Sequence, residues 1–81
     1  DQGSYSVSIR VIGGEDAPIL VCVSNACTEL GLMIVSVNGR IDAKNHQSIV
    51  EFTIKLGKKE DLDLLFNKVS QNSCISDIFR I

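Results

Sequence analysis

The 81-residue chain has little of what most membrane, metal-binding or catalytic proteins need. No apolar run is long enough to cross a bilayer, and no leader of basic, apolar and small residues stands at its start, so no membrane contact is expected. The one histidine, His46, lies in the polar stretch Ala43-Lys44-Asn45-His46-Gln47 and reads as a solvated turn residue. The three cysteines, Cys22, Cys27 and Cys74, are odd in number and lack C-x-x-C spacing, which argues against a disulfide framework or a thiolate metal site. Cys22 and Cys27 are five apart on a predicted helix and so do not share one face. All three read as buried thiols of a protein in a reducing cytoplasm. No G-x-S-x-G elbow, H-E-x-x-H pair or phosphate loop occurs, and Gly13-Gly14 alone is not such a loop. Glu15 and Asp16 could form a carboxylate pair but read instead as a helix cap and its solvated neighbour. With a net charge of −2, the chain also lacks the basic excess of a dedicated nucleic-acid binder. Catalysis, a metal and a cofactor are therefore not expected of these residues.

What is present is enough for one domain. The chain starts at Asp1, not Met, and reads as a piece of a longer protein, with 1-4 as linker or cloning remnant and 5-81 as the folded unit. Tyr5 to Val11 alternates strictly, which predicts a half-buried strand with Tyr5, Val7, Ile9 and Val11 inward. A helix is predicted over about Ala17 to Leu30. Leu20, Val23, Cys27 and Leu30 form its apolar stripe, widened by Ile19, Cys22 and Ala26 and stopped by Gly31. Each large residue on that stripe contributes roughly 1.5–3 kcal/mol if fully buried, so Leu20→Asp or Leu30→Asp is expected to unfold the domain.

Leu32 to Arg40 reads as a second strand. Asn38-Gly39 could close a tight turn, or the strand could pass a bulge at Gly39 and reverse at Ala43 to Gln47. A third strand follows over Ser48 to Leu56, with Val50, Phe52, Ile54 and Leu56 inward. A second helix spans about Lys59 to Gln71, with Leu62, Leu65, Phe66 and Val69 as its apolar face and acids in its first turns. A short strand, Cys74 to Ile81, ends the chain.

The order β-α-β-β-α-β predicts an α+β, ferredoxin-like sandwich: a four-stranded antiparallel sheet with both helices on one face. The other face would carry Ser6, Ser8, Arg10, Ser36, Asn38, Glu51, Thr53, Lys55 and Arg80. It could be solvated or meet another domain. Base stacking by an RNA-recognition domain needs aromatics there, whereas Tyr5 and Phe52 fall on the core parity. A metal carrier of this shape needs a cysteine pair in its first loop, and Gly13 to Pro18 has none.

The stretch Ile12 to Leu20 is the candidate site. Its two glycines permit a sharp turn. Asp16 reads as the N-cap, and Pro18 falls in the first helical turn, where a missing N–H costs nothing. Free N–H groups at the helix start would suit an amino-acid carboxylate.

Gly14-Glu15-Asp16-Ala17-Pro18-Ile19-Leu20 after a strand, then a helix ending Leu30-Gly31-Leu32-Met33-Ile34, resembles an ACT domain. Leu62-x-x-Leu65-Phe66-x-Lys68-Val69 and Ile75-x-x-Ile78-x-Arg80 are similar to the C-terminal ACT domain of the RelA/SpoT family, the GTP pyrophosphokinases and (p)ppGpp hydrolases of the stringent response. The resemblance covers Tyr5 to Ile81. It implies a regulatory module that senses a small ligand or contacts other domains or the ribosome, in an enzyme whose catalytic part lies elsewhere. An amino-acid-binding ACT regulator of another metabolic enzyme is the alternative, as is an RNA-contact module using Arg10, Lys55 and Arg80.

The resemblance places ligand-binding candidates at Gly14, Asp16, Ala17, Pro18, Ile19, Leu20 and Met33. At two of them the chain departs from the family pattern: the loop glycine is Ile19, and the asparagine opening the second strand is Met33. A β-branched side chain crowds a backbone that glycine leaves open. The apolar surroundings favour a branched-chain amino acid over serine, whose hydroxyl they cannot satisfy. A homodimer through strand 2 and helix 1 is expected, with Ile19, Val21, Cys22, Met33, Ile34 and Val35 as interface candidates.

Overall fold

Strict alternation in two segments and amphipathic stripes in two others produce the expected layers. The computed structural model describes residues 5–81; the segment 1–4, read as a linker, lies outside the described residues. The elements are β1 (Tyr5–Gly14), α1 (Ile19–Leu30), β2 (Met33–Asp42), β3 (Gln47–Leu56), α2 (Glu60–Ser70) and β4 (Ile75–Arg80). The four strands form one antiparallel sheet in the order β2-β3-β1-β4. Val7, Ile9 and Val11 of β1 and Phe52, Ile54 and Leu56 of β3 meet Ile19, Val23, Ala26 and Cys27 of α1 and Leu65 and Val69 of α2 in one core. Both helices therefore lie on the same face. At about 25 cal/mol per Å² of apolar surface removed from water, this single cluster is the main support of so small a domain.

Local signals hold where a local reason governs them. Gly31 ends α1 with φ 72°; its N–H donates to Thr28 O, and the N–H of Leu32 donates to Cys27 O at 2.8 Å. This is the paired closure of a Schellman motif. The reversal between β2 and β3 falls at residues 43–46. Asp42 accepts from Asn45 Nδ2 at 2.8 Å, which holds the Asp42 carboxyl below its usual range. Asp61, 9% exposed, accepts from the N–H groups of Gly57 and Lys58 at 3.2 Å and so satisfies donors ahead of α2.

Several expectations are corrected. The helix starts two residues late: α1 begins at Ile19, Pro18 holds the cap position, and no side chain caps it, so Asp16 is not the N-cap. Gly13 and Gly14 belong to β1, paired with Ser48 and Gln47. A Cβ on Gly13 would lie 2.7 Å from Cys74 O and 3.2 Å from Ile19 Cδ1, so this glycine permits a close approach and not a turn. The buried stripe of α1 is Ile19, Val23, Ala26 and Cys27, with Leu30 partly buried. Leu20 is 51% exposed, so Leu20→Asp is not an unfolding change.

In β2 the register shifts between Ile34 and Ser36, which puts the bulge at Val35 and not at Gly39. Met33 pairs with Lys55 and Val37 with Phe52, so these two residues fall on opposite faces. Arg80 pairs with Ile9 and lies on the helix-side parity, whereas Phe79, opposite Arg10, takes the place on the open face expected for Arg80.

Candidate functional site

The residues expected to form one site are divided among three depressions. One is an apolar cleft of about 320 Å³. Ala17, Pro18, Ile19, Leu20 and Val21 form one wall, at the start of α1. Gly39, Arg40 and Ile41 of β2 form the other, and Ser48 and Val50 of β3 form the floor. Gly14 and Asp16 line a more open hollow shared with Ser73 and Cys74. Met33 lies at the opposite end of β2, in a groove with Leu30, Lys55 and Asp61. Within one protomer the loop and Met33 are not brought together.

The chemistry of the cleft is mostly that of its aliphatic walls. Ile19 is only 2% exposed, so its side chain belongs to the core and offers a ligand little surface. The Ser48 hydroxyl donates to Glu15 O at 3.0 Å, which ties β3 to the loop and uses that donor. Arg40 borders the cleft along β2, but it pairs with Ile49, the residue opposite Ile12, so its side chain starts from the open face and not from the face of the cleft. Arg40, Ile41, Ser48 and Val50 were not legible as site residues, because the pairing of β2 with β3 decides their position. Gly39 inside a strand was the one available signal, since strand glycines often mark a close backbone approach. Here a Cβ would meet Val50 Cγ2 at 3.5 Å, an ordinary contact.

The interface candidates divide as well. Val21, Met33 and Val35 are exposed and lie with Leu20, Val37 and Ile41 beside the unpaired edge of β2. Ile34 packs against the core, and the Cys22 thiol turns toward Cys74, so neither belongs to that surface. On the open face Arg10 donates from Nε and Nη2 to Glu51 Oε2, at 3.0 and 2.8 Å, and lies 5.8 Å from the centre of the Phe79 ring. Ser8 and Thr53 share a hydrogen bond at 3.2 Å. Among the described residues no group of three or more His, Cys, Asp or Glu could hold a metal ion, and no helix is long and apolar enough to cross a membrane.

A βαββαβ sandwich with both helices on one face of an antiparallel sheet is a ferredoxin-like domain. The chain belongs to the ACT domain family, whose model matches residues 1–80. It is a regulatory domain of that family. No curated protein sequence matches it. Its fold is similar to the crystal structure of the ACT domain from GTP pyrophosphokinase of Chlorobium tepidum, with a TM-score of 0.77 and 14% identity over 96% of this chain and 99% of that one. A homoserine dehydrogenase from Thiobacillus denitrificans matches with a TM-score of 0.78 and 10% identity, over 96% of this chain but 17% of the enzyme. An ACT domain protein from Streptococcus pneumoniae matches with a TM-score of 0.70 and 22% identity, over 93% of this chain and 88% of that one.

Proposed function

We propose that the chain is the amino-acid-sensing domain of a cytoplasmic GTP pyrophosphokinase of the RelA/SpoT type, acting as a side-by-side dimer. The observation that carries this reading is the apolar cleft open along the outer strand β2, walled by Leu20, Val21 and Ile41. An antiparallel pair of β2 strands is self-complementary under a two-fold axis. It sets the Met33 end of one strand beside the Ile41 end of the other, with Val37 and Ile41 on the helix-side face that carries the cleft and Met33 on the face of Lys55. The ligand is a branched-chain amino acid whose side chain lies among Leu20, Ile41 and Val50. Its effect on the enzyme requires two arrangements of the parent protein that bind it with different affinity. The likeness to the Chlorobium domain and the C-terminal motif support the parent's class. The cleft itself fits an ACT regulator of another amino-acid enzyme equally well, a reading that the homoserine dehydrogenase likeness favours.

The RNA reading has less behind it. Arg10 is engaged by Glu51, Arg80 lies on the helix-side parity, and among the described residues only Lys55 of the three is on the open face without an ion pair. Calorimetry with valine, isoleucine and serine, together with light scattering over a concentration series, tests the proposal. Isoleucine or valine binding to a dimer, weakened roughly tenfold or more by Leu20→Asp, is expected. Tighter binding of serine, or a monomer at all concentrations, overturns it.

A further inference from the structure

Two thiols with no expected connection meet at the back of the cleft wall. Cys22 of α1 and Cys74, just before β4, are 52 residues apart, and their Sγ atoms are 3.9 Å apart. Neither is fully buried. Cys74 lines the open hollow beside Pro18, which gives a small oxidant a way in. The third thiol, Cys27, is 2% exposed within the core. The chain thus holds one accessible dithiol and one sequestered cysteine.

We propose that Cys22 and Cys74 are a redox-sensitive modification site, oxidised by a hydroperoxide to an intramolecular disulfide that pins the first turn of α1 to the turn before β4. The first thiolate attacks the peroxide: an S–O bond forms, the O–O bond breaks, and the departing alkoxide takes a proton to leave as an alcohol. The second thiolate attacks the sulfenic sulfur: the S–S bond forms, the S–O bond breaks, and hydroxide takes a proton to leave as water. Two electrons pass from the two sulfurs to the peroxide. The sulfurs must approach by roughly 2 Å to reach bonding distance, a movement available to two side chains when one sits in a turn.

Burial pushes the Cys22 thiol up, and the hydrogen bond and charge of Cys74 push it further. The Cys22 thiol therefore reacts slowly at neutral pH and faster as pH rises, unlike an activated catalytic thiol. The consequence reaches the cleft through the backbone. The Cys22 N–H donates to Pro18 O at 3.0 Å, and Pro18 with its neighbours forms the cleft wall. Oxidation stiffens that wall.

The test treats the native chain with hydrogen peroxide, alkylates free thiols and maps the peptides without reduction. The Cys22 and Cys74 peptides should be joined within one chain, with Cys27 alkylated only after unfolding. The oxidised chain should melt higher by roughly 5 °C or more. That shift should vanish in Cys22→Ser and Cys74→Ser and survive in Cys27→Ser. Slower hydrogen exchange over residues 18–22 in the oxidised form should accompany it. A link that uses Cys27, links only between chains, or two thiols left free at peroxide levels that consume glutathione would each overturn the proposal.

Discussion

The two edges of the sheet are built for opposite fates. β4 is six residues long and carries Ser76, Asp77 and Arg80, and the Asp77 carboxylate accepts from the N–H of Ile78. Shortness and charge discourage another strand from pairing there. β2 is ten residues long and exposes Met33, Val35, Val37 and Ile41, continued by Leu20 and Val21 of α1. Both edges rest on the same floor and are equally peripheral, yet only β2 has a surface that gains by being covered. Along such an edge a partner and a ligand can share one boundary.

The largest effect is expected from the shared floor. Phe52 is 1% exposed and lies between Val37 on one side and Ile9 on the other. Phe52→Ala should cost about 3–5 kcal/mol, a large part of the stability of a small domain, and loosen both edges together. Urea unfolding measures it, and a loss below about 1 kcal/mol would mean that the two edges do not share this support. Next comes the edge itself. Val35→Lys with Val37→Lys should convert a dimer to a monomer by light scattering while the far-ultraviolet spectrum stays native. Ser76→Lys on β4 should leave the mass unchanged. A dimer indifferent to the β2 lysines but lost with the β4 lysine would reverse the comparison.

Leu20→Asp comes third. As a half-exposed residue it should change monomer stability by less than about 0.5 kcal/mol, yet weaken both pairing and isoleucine binding. Leu65→Asp, at a buried position, should not fold. The smallest effect belongs to the hairpin that anchors β2. Asn45→Ala removes the chief cause of the lowered Asp42 pKa, so the carboxyl should move up toward its ordinary 3.8 in an NMR titration. A carboxylate whose pKa is depressed by folding stabilises above its unfolded pKa and loses that contribution as pH falls through the folded one. The wild-type hairpin should therefore hold into more acidic solution than the variant.

Each part of the chain that was legible in the sequence has a cause within a few residues. Alternation in β1 and β3 sorts side chains to two faces whatever lies across from them. The stripe of α2 and the glycine stop at Gly31 are equally local, and together with the element order they determine the sandwich. For α1 the stripe itself could be read, but its centre could not: Ile19 and Leu20 are both apolar, and only the seat of the helix on β1 decides that Ile19 is buried and Leu20 exposed. The rest belongs to tertiary structure because it depends on pairs distant in sequence. The bulge at Val35 comes from the fit of β2 to β3, and it reverses the face of Met33 relative to Val37. The face of Arg80 follows from its register with Ile9, and the need for glycine at position 13 from the carbonyl of Cys74. The cleft and the Cys22–Cys74 pair exist only where strands and helix remote along the chain converge. A composition of residues and their spacing contain no distance across such a gap, which packing alone supplies.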